Sequence, residues 1–310
     1  MGFFDAAQDV FDKGMAAADR GVAAAKGAVS GLAVEQQAFV KDFVRLCEDA
    51  FCQGWHEANG GNLSYALGAA EVDGCRQFFY TTPGSWVALA QPQPGVAGQY
   101  FLVTGSGKHF RNVNVDPAAN VGIVEIAGDG GSWRVVWGLK NAAKPTSELD
   151  LHLACLLAAR VRNAEAKVVY HAHPASLMAL TCCGPANGAA FTRLLWRSLA
   201  EAIIVVPRGV AVVPWHCPGT LELAAACAQA MESSDAVVAQ NHGIFCCAES
   251  FDAAFGLVHT LEKAAEVALK ARAANGGSSE GLTQIPLEGL REIAQRYGLD
   301  VDESLLEHAE

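Results

Sequence analysis

The sequence predicts an α/β fold in which a mostly antiparallel or mixed sheet carries helices on both faces. Short strand-like runs bounded by Gly, Pro and Asp follow one another as a meander through the first half of the chain. After Pro145, helical and strand-like runs alternate, which places helices against the sheet. A doubly wound dinucleotide fold is disfavoured, because no G-x-G-x-x-G follows a strand and "TGSGK" lacks the spacing of a phosphate-binding P-loop.

The first predicted element is an amphipathic helix at residues 3–29. Apolar residues recur there at three- and four-residue steps, with charged residues between them. The stretch "GAVSGLA" at residues 27–33 then predicts a flexible linker. We therefore expect two parts, an N-terminal helix with its linker at residues 1–31 and one α/β domain at residues 32–310.

The domain is expected to begin with a helix at residues 34–57, which ends in "NGGN". Runs of β-branched and aromatic residues predict the strands, and apolar residues at helical spacing predict the helices. Pro174 fits the first turn of a helix, where a missing N–H costs nothing. The predicted elements are strands at 63–67, 77–82, 99–105, 121–126, 133–139, 166–173, 201–207, 210–215 and on both sides of 241–243, and helices at 147–161, 174–183, 219–232, 250–274 and 287–298.

Composition argues against several classes of function. The net charge is −11, whereas nucleic-acid binding needs clustered Lys and Arg. No apolar run reaches the roughly 18 residues that span a bilayer, and the N-terminus lacks the pattern of a secretory signal. The ten cysteines include no C-x-x-C, so we expect reduced thiols in a cytoplasmic protein rather than disulfides or a Cys-ligated zinc.

Three of the nine histidines end predicted strands. His171 and His173 are two residues apart, so their side chains point to the same face of a strand. His242 stands between two further strands. Three neutral imidazoles would bind a divalent ion such as zinc and leave a position open for substrate. An H-x-H pair alone also fits two ordinary polar residues at a strand end.

Glu148 follows "KPTS" at the start of a predicted helix, which Thr146 or Ser147 is expected to cap. The carboxylate would serve as a general base beside an anion held by the turn. An acidic residue in a first turn is also favoured by the helix dipole alone. Two glycine-rich turns, "NGGN" at 59–62 and "TGSGK" at 104–108, are compatible with ordinary turns or with phosphate-binding nests of N–H groups.

Seven segments in order give the chain a resemblance to a known family. They are "GWHEANGGNLS", "FLVTGSGKHFRNV" with "VDPAANVGIV", "WGLKNAAKPTSELDLH", "HAHPASLMALT", "FTRLLW", "VVPWHCPGT" and "NHGIF". Together they resemble the class II aldolase/adducin family over about residues 39–297. The histidine motifs are common to that family, whereas the blocks around "TGSGK" and "KPTSEL" are more specific to its ketose 1-phosphate aldolases.

The resemblance implies a three-layer α/β/α fold and a zinc-dependent retro-aldol cleavage with one Zn²⁺ per chain. The implied substrate is L-rhamnulose 1-phosphate, which would give dihydroxyacetone phosphate and L-lactaldehyde. Cleavage of L-fuculose 1-phosphate and 4-epimerisation of a pentulose phosphate on the same scaffold are alternatives. A non-catalytic interaction protein, like the adducin head domain, is a further one, and the presence of all three histidines and of Glu148 argues against it.

The same resemblance implies roles for particular residues. Zinc ligands are expected at His171, His173 and His242, and the catalytic glutamate at Glu148. A second glutamate, Glu201, is expected to act across a subunit interface of a C4 tetramer. The implied phosphate-binding residues are Asn59, Asn62, Ser106, Gly107, Thr146 and Ser147.

Two segments depart from the family pattern. Residues 71–93 do not align with it, which leaves the aldehyde pocket undefined, and residues 1–31 have no counterpart in it. Three interpretations of the helix at residues 3–29 are open. It would pack on the domain or the oligomer, dock to a shell protein of a bacterial microcompartment, or lie on a membrane. The mixed charge of its polar face argues against the membrane.

Overall fold

The computed structural model describes residues 33–307, and the nine strands in this range form one sheet. Their bounds are β1 Asn62–Ala66, β2 Val87–Ala88, β3 Tyr100–Thr104, β4 Val121–Ile126, β5 Ser132–Gly138, β6 Val168–Ala172, β7 Val210–Val213, β8 Ala236–Ala239 and β9 Gly243–Ala248. The order across the sheet is β2-β5-β4-β3-β1-β6-β9-β8-β7. Neighbouring strands run antiparallel except for the parallel pair β7 and β8. The predicted, mostly antiparallel sheet is confirmed.

Helices cover both faces of this sheet. In residues 33–307 they are α1 Ala38–Cys52, α2 Ala69–Cys75, α3 Pro117–Asn120, α4 Leu149–Arg160, α5 Ala175–Cys183, α6 Gly188–Ser198, α7 Ala200–Val205, α8 Leu221–Met231, α9 Phe251–Ala274 and α10 Leu287–Tyr297.

Alternation along the strands divides the core into two layers. On β6, Val168, Tyr170 and Ala172 face one core, while Val169 faces the other. The first core packs against α1, α5, α6 and α9, and the second packs against α4 and α8. This is the three-layer α/β/α arrangement that the family resemblance implied.

Antiparallel pairing brings distant parts of the chain to one end of the sheet. Asn62, the first residue of β1, lies opposite His171 near the end of β6. Ala172, the last residue of β6, lies opposite Ile244 near the start of β9. The "NGGN" turn before β1, the His-x-His segment of β6 and the turn before β9 are therefore neighbours.

Two predicted strands are wrong. Most of the segment 201–207 belongs to helix α7, in which Ala202 and Ile203 are buried against the first core. Its β-branched composition is overridden by that packing. The segment 77–82 begins within the 3₁₀ helix Arg76–Phe78 and continues as an irregular loop.

The ends of three predicted helices also differ. The first helix spans Ala38–Cys52 rather than 34–57, because Gly54 takes a left-handed φ of 78° and ends it. Pro174 stands one residue before α5, at its N-cap. Glu148 is itself the N-cap of α4, so neither Thr146 nor Ser147 occupies that position.

The predicted helix at residues 3–29 lies outside the described residues, as does the proposed boundary after residue 31. Among residues 33–307, no helix combines the length and the apolar character needed to cross a membrane.

Candidate active site

Three histidines meet at the end of the sheet where β6 stops. His171 lies within β6, His173 follows the strand, and His242 stands in the turn between β8 and β9. One ring nitrogen of each lies within 4.8 Å of the others. In the part of the chain that the structure describes, this is the one cluster of His, Cys, Asp or Glu with the spacing of a metal site. The structure thus brings together the three imidazoles that the sequence singled out.

Backbone constraints fix where the His242 ring enters this cluster. Asn241 has a φ of 57°, which non-glycine residues rarely adopt, and its N–H donates to Thr181 Oγ1 at 3.1 Å. A Cβ at Gly243 would lie 2.5 Å from the carbonyl oxygen of Ala172. The end of α5 and this close strand contact therefore hold the turn in place.

Hydrogen bonds settle which nitrogens of two rings carry protons. His171 Nδ1 lies 3.0 Å from the carbonyl oxygen of Ile244, and His173 Nδ1 lies 2.7 Å from Glu57 Oε1. Because a carbonyl and an ionised carboxylate only accept, each Nδ1 carries a proton, and Nε2 is the nitrogen of each ring that remains available to a metal ion.

The two free nitrogens of His171 and His173 have the spacing of ligands on one ion. Their Nε2 atoms are 3.2 Å apart and face each other. Two nitrogens bound to zinc at about 2.0–2.1 Å in a tetrahedral arrangement lie roughly 3.3 Å apart. The observed separation therefore fits two ligands of one zinc ion.

The Glu148 carboxylate faces the same point. Its Oε2 lies 3.6 Å from His171 Nε2, and its Oε1 lies 3.8 Å from His242 Nε2. Burial raises the pKa of Glu148 above its ordinary value, and the hydrogen bond that Asn62 Nδ2 donates to Oε2 at 2.7 Å opposes part of this rise. A carboxyl group whose pKa lies closer to neutrality is suited to accept and return a proton.

Several buried polar atoms of the site are available to a ligand. Within residues 33–307, Glu148 Oε1, Asn62 Oδ1 and His242 Nδ1 are buried and have no hydrogen-bond partner. Such atoms are rare, since each costs about 1–3 kcal/mol. Burial also lowers the pKa of His242 to about 4 and that of His171 well below 6.5, so both rings are neutral and able to coordinate. Neutral imidazoles beside a free carboxylate oxygen fit a divalent cation.

Two turns predicted to bind phosphate lie side by side next to Glu148. Gly105, in the turn at 104–107, pairs with Pro145 in the turn at 144–148. The N–H of Ser106 donates to the carbonyl oxygen of Lys144 at 2.9 Å.

The six residues expected to bind phosphate divide into two groups. Asn62 and Thr146 are buried and both contact Glu148, since Thr146 Oγ1 accepts the Glu148 N–H at 3.2 Å. The other four are exposed, and they are Asn59, Ser106, Gly107 and Ser147. Of the buried pair, Asn62 holds the carboxylate of Glu148 and Thr146 holds its backbone N–H, whereas the exposed four are open to a ligand.

Glu201 is not brought to the histidines within this chain. It lies exposed in the first turn of α7, a helix that packs against α9 and α10.

Three residues that sequence reasoning did not single out belong to the site. Glu57 and His56 stand immediately before the "NGGN" turn, and their position there was the available signal. His152 lies four residues after Glu148, on the same face of α4. Its Nδ1 is 2.7 Å from Ser64 Oγ, and burial lowers its pKa to about 3.

The chain is similar to known proteins over most of its length. The sequence profile of the class II aldolase and adducin N-terminal domain matches residues 41–269. Rhamnulose-1-phosphate aldolase from a strain of Escherichia coli is 40% identical over 268 residues, which cover 86% of this chain and 96% of that protein. The protein of the same name from an Enterobacter species is 40% identical over 270 residues, covering 87% and 96%.

Solved structures share the fold. A sugar-phosphate aldolase from Thermotoga maritima superposes with a TM-score of 0.60 at 25% identity, covering 78% of this chain and 97% of that one. An L-fuculose 1-phosphate aldolase gives a TM-score of 0.54 at 23% identity, covering 84% and 95%.

Proposed function

Because the chain belongs to the class II aldolase and adducin family, we propose that it cleaves L-rhamnulose 1-phosphate to dihydroxyacetone phosphate and L-lactaldehyde, with one zinc ion per chain. Class II aldolases are metal-dependent lyases that act on sugar phosphates. The observation that carries the proposal is the meeting of three imidazoles with Glu148 in a chain 40% identical to curated rhamnulose-1-phosphate aldolases.

His171, His173 and His242 would hold the ion through their ring nitrogens. Three imidazoles suit zinc and leave a coordination position for substrate. When bound, the ion supplies Lewis acidity toward the oxygens of the ketose, which is worth several kcal/mol in a barrier of this kind.

Glu148 would handle the proton at C3 of the ketose. In cleavage, the C4 hydroxyl gives up its proton as C4 becomes the aldehyde carbon, the C3–C4 bond breaks with its electron pair left on C3, and a proton is delivered to C3. In condensation, the same proton must be removed. Asn62 holds Oε2 of Glu148 and leaves Oε1 unpaired, so Oε1 is the atom free to carry the proton. General acid–base catalysis of this kind contributes about 10²–10⁴ in rate.

The phosphate group would lie over the exposed parts of the glycine-rich turns. A chain with a net charge of −11 must hold an anion through local donors. Asn59, Ser106, Gly107 and Ser147 supply backbone N–H, hydroxyl and amide donors there, next to the buried Thr146.

Glu201 would act in the site of a neighbouring subunit. Its exposure on α7, away from the histidines of its own chain, is compatible with a role across an interface. We propose a C4 homotetramer with the site at the subunit interface.

The N-terminal part of the chain has two proposed roles, one in packing and one in localisation. We propose a cytoplasmic enzyme in which the segment 3–29, predicted from sequence to be helical, packs on the oligomer or docks to a microcompartment shell protein. Deletion of residues 1–31, followed by co-localisation with shell proteins, separates these two roles. An unchanged distribution would remove the docking role.

A coupled assay for dihydroxyacetone phosphate tests the substrate. L-rhamnulose 1-phosphate and L-fuculose 1-phosphate are supplied to the same preparation at matched concentrations. We expect a higher kcat/KM with L-rhamnulose 1-phosphate. Equal or faster turnover of L-fuculose 1-phosphate would overturn the assignment of the substrate.

A further inference from the structure

We infer that Glu57 is a positioning residue for the metal centre and that the segment 55–61 forms a cradle around His173. This inference rests on the proposed metal-dependent function and deepens it. The sequence suggested only an ordinary turn or a phosphate nest for "NGGN". The contacts of this turn indicate a second role, which is to position His173.

The cradle contacts His173 through both backbone and side chain. The N–H of His173 donates to the carbonyl oxygen of Trp55 at 3.0 Å. Two residues after Trp55, the carboxylate of Glu57 accepts the Nδ1 proton of His173 at 2.7 Å. The hydrogen bond joins residues 116 positions apart in the sequence and fixes the plane of the ring. It leaves Nε2 pointing at Nε2 of His171.

The turn needs glycine at positions 60 and 61 because its backbone lies very close to the histidines. A Cβ at Gly60 would lie 2.7 Å from Glu57 Oε1 and 2.9 Å from His173 Nδ1, on top of the hydrogen bond itself. A Cβ at Gly61 would lie 2.7 Å from the carbonyl oxygen of His171, and Gly61 has a left-handed φ of 70°. A turn that only bound phosphate would not need these two contacts.

His56 stabilises the cradle through two hydrogen bonds and a ring contact. Its Nδ1 donates to the carbonyl oxygen of Gly60 at 2.9 Å, so its Nε2 accepts from the Tyr170 hydroxyl at 2.9 Å. The ring stacks on Phe110 with 3.6 Å between centroids. The turn is therefore held rigidly while the Glu57 side chain, 68% exposed, reaches out to His173.

A carboxylate bonded to a ligating imidazole fixes its tautomer and raises its basicity. Removal of such a partner typically lowers metal affinity about 10–100-fold. Glu57→Gln retains an oxygen that accepts the Nδ1 proton but loses the charge. Glu57→Ala loses both, so the two variants separate orientation from basicity.

The test measures zinc affinity of the full chain, by competition with a chromogenic chelator after metal removal. We expect Glu57→Ala to bind zinc about 10–100-fold more weakly than the wild type. Glu57→Gln should fall between the two, and Glu48→Ala, which removes an exposed carboxylate from α1, should bind as the wild type does. The thermal melting of the metal-free variants should match that of the wild type, because the loss concerns the ion and not the fold.

Two results would contradict the inference about Glu57, and they differ in what they mean for the proposed function. If the wild type binds zinc and Glu57→Ala binds it equally tightly, the inference about Glu57 is wrong while the proposed function stands. If the wild type itself binds no zinc, the proposed function fails and the inference fails with it.

Discussion

Asn62 and Glu148 are joined by a 2.7 Å hydrogen bond from the amide Nδ2 to the carboxylate Oε2, although 86 positions separate them in the sequence. The bond ties the start of β1 to the start of α4. It opposes the rise in the pKa of Glu148 that burial causes. Asn62 therefore acts on the proton chemistry of the site, besides any contact with phosphate.

Asn62→Ala should shift the acid side of the pH–activity profile upward. With the amide donor gone, burial acts on Glu148 with less opposition and its pKa rises further, so the carboxylate is protonated at higher pH. A hydrogen bond worth about 1 kcal/mol corresponds to a shift of roughly one pH unit or less in kcat/KM. If Asn62 served only phosphate, the KM would instead rise by the same factor at every pH.

Glu148→Gln should lower kcat about 10²–10⁴-fold while zinc remains bound. The amide keeps the shape of the side chain but cannot accept and return the C3 proton. Zinc content and kcat are measured on the same preparation. A variant that retained zinc and turned over at the wild-type rate would show that another group moves the proton.

Gly243→Ala should weaken both the fold and the metal site. The new Cβ would lie 2.5 Å from the Ala172 carbonyl oxygen, 2.7 Å from Cδ2 of His173 and 2.8 Å from Cε1 of His171. Such crowding typically costs about 1–3 kcal/mol. Gly256→Ala in α9 is the matched control, because nothing lies within 4 Å of its added Cβ. Urea unfolding should show that Gly243→Ala is less stable than the wild type. Gly256→Ala should be more stable than the wild type by about 0.5–1 kcal/mol. Equal stability of the two variants would contradict this prediction.

His152 should make the metal-free protein sensitive to acid. Burial lowers its folded pKa to about 3, against an ordinary value of 6.5, so between these values the unfolded chain binds a proton that the folded chain does not. Stability is then fully present above pH 6.5 and is lost as the pH falls toward 3. His152→Gln should flatten the dependence of unfolding free energy on pH by up to about 1.4 kcal/mol per pH unit, measured by urea unfolding from pH 7 to pH 5. Parallel curves for the two proteins would show that the burial of His152 is not the cause.

The sequence pattern predicted correctly those features that depend on residues close together in the chain. The i, i+2 spacing of His171 and His173 places both rings on one face because strands have a period of two. The glycine and proline boundaries located most strands of the sheet. The order of seven matching segments supplied the family, which the match over residues 41–269 confirmed.

The sequence pattern did not predict those features that depend on contacts between residues distant in the chain. The run 201–207 has strand composition, yet its apolar residues also fit a helical face, and contact with the first core selected the helix. Glu57 was missed because its partner, His173, is 116 residues away and no spacing rule connects them. The "NGGN" turn was compatible with an ordinary turn or a phosphate-binding nest, and its closeness to the histidines becomes visible only once β1 and β6 are paired.

The central claim is that three imidazoles hold a zinc ion required for cleavage. The most direct measurement is the metal content of the purified chain together with its turnover of L-rhamnulose 1-phosphate, before chelation, after chelation and after zinc is returned. We predict about one zinc per chain, activity that disappears with the ion and returns with it, and neither zinc nor activity in His173→Ala. Full activity after complete removal of metal would contradict the account.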